Sequence, residues 1–322
     1  MKLGTYLRPE GIEAVFAVLA DGDLLDLAIA CEGRVDDASE AFASMTTLIE
    51  RWDDVRALAE RLVDAAPGRA VRRREEAHLL APLPRPAQMR DFLSFETHFR
   101  QARAAITRLW AQPGAPSFSP DDPLPDLFYR QPVYYKANRF AVCGPDTDVV
   151  WPSYSQVMDY ELELAAVIGR RGRDVPTERA AEHIFGFTIF NDFSARDAQQ
   201  LEMPGSLGPA KGKDFDNANA LGPWIVTRDE LADPYGLTMQ ARINGELVSQ
   251  GSSADMHWSF EQMIAHVSQA ETLHPGEVFG SGTVGGGCGL ELGRFLADGD
   301  VVELEVSGIG VLRNRVRSGR TA

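Results

Sequence analysis

Two carboxylates two residues apart, Glu161 and Glu163, sit in the run Met158-Asp159-Tyr160-Glu161-Leu162-Glu163-Leu164-Ala165-Ala166-Val167-Ile168-Gly169. The run reads as a strand, because a short alternating start passes into Ala, Val and Ile and a glycine closes it. Side chains on a strand alternate between faces, so Tyr160, Leu162 and Leu164 share one face while Glu161 and Glu163 share the other. The strand rise holds the two carboxylates about 7 Å apart. Ionised neighbours on a segment that soon turns apolar are costly unless something positive lies between them. Oxygen-only ligands favour a hard divalent cation, Mg²⁺, Ca²⁺ or Mn²⁺, over zinc. Glu303-Leu304-Glu305-Val306 repeats the alternation, so pattern alone does not choose between the pairs, and an exposed strand face would carry either one.

Other candidate groups are scattered along the chain. Phe95, Phe99, Ala102, Ile106 and Leu109 recur with a helical rhythm, with Asp91 just before it and His98 beside the apolar stripe. A histidine there is either a satisfied core residue or a base. The β-rich run 184–190 ends at Asn191-Asp192 and a polar cluster holding Ser194, Arg196, Asp197, Gln199 and Gln200. Functional groups gather at strand ends, and a turn with a helix cap accounts for the same residues. Leu207 to Phe215 resembles a phosphate loop only loosely, since Asp214 follows Lys213 where Ser or Thr is required. The glycine-rich stretch Gly280 to Glu291 implies close backbone approach. It is not read as following a strand and opening a helix, so no dinucleotide site is expected.

The elements that must position these groups follow from turn and cap signals. Residues 1–82 read as a small N-terminal unit. It has strand-like runs at Ala14–Leu19 and Leu24–Ala30 around Asp21-Gly22-Asp23, two helical patterns between Ala38 and Ala66, and a short strand near Ala77–Leu80. The run Pro82-Leu83-Pro84-Arg85-Pro86 is the expected boundary, with a larger domain over 83–322. Residues 111–126 are rich in proline and aspartate and read as a loop over a site. Asn244-Gly245 signals a two-residue hairpin, and Ser259-Phe260-Glu261-Gln262 a capping box.

Composition narrows the function classes. The chain has 322 residues and a net charge of −15, which disfavours nucleic acid and anionic membranes as partners. Three cysteines without CxxC spacing point to neither a disulfide framework nor a zinc motif. No apolar run has membrane-spanning length, and the start lacks a signal-peptide core, so a cytoplasmic location is expected.

Taken in order, these motifs resemble the fumarylacetoacetate hydrolase superfamily over about residues 88 to 316. They are Asp91 with His98 seven positions on, Met158 to Glu163, Asn191 to Gln199, Lys213, and Gly280-Ser281-Gly282-Thr283 through Glu291. The resemblance implies an α+β, β-rich fold, a mixed β-sandwich roll with a small N-terminal β/α domain, built into a homodimer. It makes Asp91, Glu161, Glu163 and Asp192 ligands of a divalent metal, Mg²⁺ or Ca²⁺ with Mn²⁺ admitted, and sets Glu303/Glu305 aside. His98 becomes the base, oriented by Glu291, with Glu96 as the alternative; Gln101 stands where shorter members carry that glutamate. Lys213 joins His98 and Glu291 in catalysis, and Arg196, Gln199 and Thr283 contact substrate.

Met203 and Leu93 stand where members that cleave fumarylacetoacetate carry tyrosines, so the resemblance implies the chemistry and not that substrate. The implied activity is hydrolysis of a carbon–carbon bond in a 1,3-dicarbonyl acid of the fumarylacetoacetate or acylpyruvate type, as in the catabolism of aromatic compounds, with a small 2-oxo or 2,4-dioxo acid as the bound substrate. A decarboxylase, isomerase or hydratase on the same scaffold is the alternative. A non-catalytic metal-binding protein is the reading from a different class.

Overall fold

A computed structural model describes residues 1–33, 38–110, 116–231 and 233–319. The chain opens with β1 (Lys2–Leu7), β2 (Glu13–Val18) and β3 (Leu24–Asp26), then α1 (Leu27–Cys31), α2 (Met45–Glu50) and α3 (Trp52–Ala65), and two short strands, β4 (Val71–Arg72) and β5 (His78–Leu79). Past the prolines come β6 (Met89–Phe92), α4 (Glu96–Leu109), α5 (Asp126–Arg130), β7 (Tyr134–Lys136), β8 (Val142–Cys143) and β9 (Asp148–Trp151). The middle holds β10 (Met158–Asp159), β11 (Leu162–Ile168), α6 (Thr177–Ala180), β12 (Ile184–Asp192), β13 (Ser194–Ala195), α7 (Arg196–Glu202) and β14 (Asn219–Thr227). The hairpin β15 (Thr238–Ile243) and β16 (Glu246–Ser252) follows, then α8 (Phe260–Val267), β17 (Val278–Gly280), α9 (Gly289–Leu292), β18 (Val301–Val306) and β19 (Gly310–Ser318).

The fold is α+β. A twelve-stranded sheet runs β4-β3-β2-β1-β14-β12-β11-β17-β6-β7, with β5 beside β1 and β8 beside β14. A second sheet, β16-β15-β18-β19-β9, lies over one face of it. Alternation along β11 explains the layering. Leu162, Leu164, Ala166 and Ile168 pack with Leu304, Leu312 and Val316 of the second sheet, while Ala165 and Val167 join the core under the N-terminal helices. Both faces of β11 are therefore covered, which accounts for its near-continuous apolar sequence.

Several details differ from the sequence reading. Leu27–Ala30 is helical, because Asp26 stops the strand and its carboxylate accepts the Ile29 N–H at 3.0 Å as a helix cap. The residues before and after the prolines share one sheet: β1 pairs with β14 at Lys2↔Val226 and Leu3↔Ile225. The glycine-rich stretch does link a strand, β17, to a helix, α9, and its backbone serves other side chains of the chain, as described below. Of the loop 111–126, residues 111–115 lie outside the described residues. The part from 116 lies against α4, where Arg103 donates to Pro123 O at 3.2 Å. The Asn244-Gly245 turn has positive φ at both residues (53° and 81°), as the hairpin signal requires. The capping box at Ser259 and Gln262 is present.

Candidate active site

The strand pairings bring distant carboxylates together. Glu163 projects from the same face of β11 as Ala165, and Ala165 pairs with Gly280, which pairs in turn with Asp91 on β6. Gly280 has no side chain to fill the space between. A Cβ there would stand 2.7 Å from Asp91 Oδ1 and 2.8 Å from Glu163 Oε2. Asp192 arrives at the end of β12, and Glu161 from the break between β10 and β11. Oxygens of Asp91, Glu161, Glu163 and Asp192 all lie within 4.8 Å of one another, and all four residues are buried. Glu303 and Glu305 sit on β18 in the other sheet, where Glu305 pairs with Arg242 at 2.7 Å. The Glu161/Glu163 pair is thus the one that converges with Asp91 and Asp192.

Four buried carboxylates repel, and the surrounding groups divide that cost unevenly. Lys213 Nζ lies 2.5 Å from Glu161 Oε2 and 2.5 Å from Asp192 Oδ2. Burial pushes the Glu161 carboxyl up, but Lys213 and then Arg196 outweigh it and hold the group below the usual carboxylate range. Burial also disfavours the Lys213 ammonium, yet Asp192 and Glu161 keep it raised and charged. Burial and the neighbouring Asp192 raise Asp91 well above its ordinary value, and burial with Asp91 does the same to Glu163. Among the described residues, Asp91 Oδ1, Glu163 Oε1 and Asp192 Oδ1 are buried oxygens without a hydrogen-bond partner. Orphaned carboxyl oxygens around one point, with oxygen as the only donor, fit a hard divalent cation.

The next layer is held as firmly. Tyr135 OH donates to Asp192 Oδ2 at 2.6 Å, and the Gly282 N–H to Glu163 Oε2 at 3.0 Å. Lys213 rides on a turn whose backbone N–H groups, those of Ala210, Lys211 and Gly212, donate to Glu202 at 2.7, 2.9 and 2.9 Å. Asp159 accepts from Arg196 Nε at 2.8 Å and from the N–H groups of Gly289 and Leu290 at 2.7 and 2.9 Å. Tyr135, Glu202 and Asp159 went unnoticed in the sequence. Asp159 and Glu202 sit beside or within the motifs, but only the fold shows which loops their carboxylates tie down.

His98 emerges from the first turns of α4, and its Nδ1 lies 3.1 Å from Glu291 Oε2 on α9. Glu291 is itself held by the Gly286 N–H at 2.9 Å and by Cys288 Sγ, which donates at 3.2 Å. Glu96 turns away, taking Arg100 Nη2 at 2.6 Å and Tyr129 OH at 2.8 Å. Glu291 is therefore the carboxylate placed to orient His98.

A cavity of about 260 Å³ joins these parts, lined by Asp91, Leu93, His98, Tyr134, Tyr135, Glu161, Gln199, Lys213 and Thr283 among others. Since water takes about 30 Å³ in the liquid, the space suits a small organic acid with a few waters. Arg196 does not line it. The residue is buried, and its guanidinium is occupied by Asp159, by Glu161 at 2.7 Å and by Gln199 at 3.0 Å. A larger hollow of about 820 Å³ lies between α3, the 169–171 turn and β12. Two pairs of its charges are matched, Arg170 with Asp53 at 2.6 Å and Arg56 with Asp229 at 3.0 Å. The chemistry belongs to the smaller space.

A buried carboxylate quartet, a lysine and a His–Glu pair opening on one cavity beneath a two-sheet roll define an enzyme of the fumarylacetoacetate hydrolase class. The chain belongs to that family: the signature described as Fumarylacetoacetate (FAA) hydrolase C-terminal matches residues 89–317. Human mitochondrial oxaloacetate tautomerase FAHD2A is 39% identical over 188 residues, 58% of this chain and 59% of that protein. The match therefore spans less than two thirds of that relative. A solved fumarylacetoacetate hydrolase from Exiguobacterium antarcticum is 28% identical, covers 99% of each chain and superposes with a TM-score of 0.73. A 5-carboxymethyl-2-hydroxymuconate delta-isomerase from Mycobacterium smegmatis is 26% identical over 99% of this chain and 100% of its own, with a TM-score of 0.68. Among the described residues, no helix is long and apolar enough to cross a membrane.

Proposed function

We propose that the chain is a metal-dependent enzyme that forms the enolate of a small 2-oxo acid, and that its reaction is keto–enol tautomerisation of an oxaloacetate-like acid. The observation that carries this reading is the meeting of the carboxylate quartet, Lys213 and the His98–Glu291 pair at one small cavity. The 39% identity to an oxaloacetate tautomerase supports the choice of reaction.

Asp91, Glu161, Glu163 and Asp192 would hold the cation, which when bound polarises the oxo oxygen and favours the enolate. His98 takes a proton from the carbon beside the oxo group, and Glu291 steadies the imidazolium that results. The enolate oxygen then accepts the proton, so none is gained or lost overall. Lys213 places an ammonium where negative charge develops. Gln199 and Thr283 hold the acid's far end, and Arg196 keeps Glu161 in position. A positioned base contributes about 10²–10⁴ in rate. The homodimer of the family resemblance is part of this reading, and sedimentation tests it.

A second reading, hydrolysis of an acylpyruvate, is favoured by the placement of Glu291 behind His98. That pair suits a base that takes a proton from water. Hydroxide then adds to the distal carbonyl, the carbon–carbon bond breaks, and its electron pair leaves as the enolate, which takes up the proton.

Ketonisation of enol-oxaloacetate, followed by loss of its ultraviolet absorbance with Mg²⁺, Ca²⁺ or Mn²⁺ present, tests the first reading. An acylpyruvate panel with product analysis tests the second. Acceleration of ketonisation with the acylpyruvates left intact selects the tautomerase, and their cleavage selects the hydrolase. Inertness towards both, with a 2-hydroxydienoate hydrated instead, would sink both readings.

A further inference from the structure

A second donor cluster lies directly behind the base. A ring nitrogen of His98, Cys288 Sγ and a Glu291 carboxylate oxygen lie within 4.8 Å of one another. Cys288 and Glu291 stand at the start of α9, and His98 reaches them from α4, which packs there through Ala105 and Leu290. The thiol to carboxylate separation is 3.2 Å and the imidazole to carboxylate separation 3.1 Å. His98 is only 8% exposed, and its Nδ1 is a buried nitrogen with no partner at a hydrogen-bonding angle. Its ring also lines the cavity.

This set differs in kind from the carboxylate quartet. One nitrogen, one sulfur and one oxygen make the borderline-soft donor set that zinc takes. Bonds of about 2.0–2.3 Å put neighbouring tetrahedral ligands roughly 3.3–3.8 Å apart, against 3.1 and 3.2 Å for the two pairs that include Glu291 and less than 4.8 Å for His98 with Cys288. Charge also closes. A dication with one thiolate and one carboxylate is neutral, as a buried site requires.

We propose that His98, Cys288 and Glu291 form a second metal site, selective for zinc-like ions, whose filling stops turnover by occupying the base. Cys288 binds as the thiolate, so its proton passes to solvent as the sulfur–metal bond forms. The binding stands on these three side chains alone. The inhibition rests also on the reading of His98 as the base.

Co²⁺ is a suitable probe, because a thiolate–Co²⁺ bond gives a near-ultraviolet charge-transfer band that an all-carboxylate site does not. Cys31 and Cys143 belong to no such cluster among the described residues, so the band reports on Cys288. Titrated with Co²⁺ while Mg²⁺ keeps the quartet filled, the wild-type protein should develop the band to saturation, and folded Cys288→Ser should not. Glu291→Gln should need at least about tenfold more Co²⁺, since even an outer partner of a metal ligand contributes about 10–100-fold to affinity. Zn²⁺ should lower wild-type activity in Mg²⁺, read as the ratio with and without zinc, and leave that ratio near one in Cys288→Ser.

No band in the wild type, or a band that persists in Cys288→Ser, overturns the site. If Cys288→Ser does not fold, unchanged Co²⁺ affinity in Glu291→Gln overturns it instead. A full band with undiminished turnover overturns the inhibition. Absence of turnover on every 2-oxo acid would count against the proposed function and leave the band as it was.

Discussion

Asp159 and Arg196 are locked together inside the protein, Oδ2 to Nε at 2.8 Å, with the two side chains 0% and 3% exposed. The pair bridges two halves of the site. Asp159 also holds the backbone at Gly289 and Leu290, where α9 presents Glu291 to His98, while Arg196 reaches Glu161 of the carboxylate quartet at 2.7 Å. Gly289 has to be glycine here, since a Cβ would meet Arg294 O at 2.1 Å and Asp159 Oδ1 at 2.5 Å. Removing one partner of a buried ion pair costs about 3–5 kcal/mol, because the other charge is left uncompensated. Asp159→Ala should therefore lower the urea midpoint at an unchanged slope and reduce turnover with it. A wild-type midpoint would show that Arg196 is satisfied without Asp159.

The base and the metal ligands should fail differently when removed. Glu163→Ala takes away one carboxylate of the quartet and the acceptor for the Gly282 N–H. Metal affinity and the metal-induced rise in melting temperature should fall together, since an ion bound only by the folded state stabilises it by mass action. His98→Ala leaves all four carboxylates in place, so both quantities should stay near wild type while turnover drops by about 10² or more. Calorimetric metal titration and single-turnover kinetics on the two variants separate the cases. Normal turnover by His98→Ala would return His98 to the role of a core histidine.

Much of this site was readable from residue types. The Glu161/Glu163 alternation, Asp91 ahead of the α4 rhythm and Asp192 at a strand end are local signals, but the single strand expected over 158–169 is broken before Leu162, so Glu161 lies outside β11 and its carboxylate comes closer to that of Glu163 than strand alternation implies. Alternation alone did not choose between Glu161/Glu163 and Glu303/Glu305, and only the family resemblance set the second pair aside, because the choice depends on which strand pairs with β12 and β17. Arg196 was expected at the substrate. Its burial against Asp159 depends on the pairing of β10 with β13, a contact between residues far apart in sequence. Leu27–Ala30 was read as a continuation of the strand, although Leu and Ala favour helix, and the carboxylate cap at Asp26 starts one there. The proline-rich run looks like a linker by composition, yet β1 continues the sheet of the catalytic strands across it.

Metal-free protein should lose stability as pH rises. Burial first, and then the neighbouring carboxylates, raise Asp91 and Glu163 well above the usual range. In the unfolded chain they titrate at about 3.9 and 4.3. Between those values and the raised ones, the folded chain binds more protons than the unfolded chain, so stability falls with increasing pH. Below about pH 4 both states are protonated and the effect vanishes. Glu161 acts in the opposite sense: its depressed folded value supports stability at higher pH, and that support is lost as pH falls. Melting temperatures in a chelator should thus decline above about pH 4–5, the decline should be smaller in Asp91→Asn, and a divalent cation should remove it. A flat profile in the chelated wild type would contradict this account of the quartet.

Gly280→Ala tests whether the quartet needs the gap that this glycine leaves between β6 and β11. The backbone there is not in the left-handed region, so alanine brings no dihedral strain, only a methyl group. That methyl would lie 2.7 Å from Asp91 Oδ1, 2.8 Å from Glu163 Oε2 and 2.9 Å from Phe190 Cδ1, closer than packed atoms sit. Overpacking of this kind costs about 1–3 kcal/mol, which a chain of this size tolerates. The carboxylates, as side chains, should give way before the three paired strands do. Metal affinity should then fall by at least about tenfold, as when a ligand's position is disturbed. The His98–Glu291 pair, which draws nothing from β17, should stay as it is. Calorimetric titration of folded Gly280→Ala with Mg²⁺ or Mn²⁺ measures the loss. Wild-type affinity in that variant would mean that Asp91 and Glu163 do not need to meet across Gly280 to bind the ion.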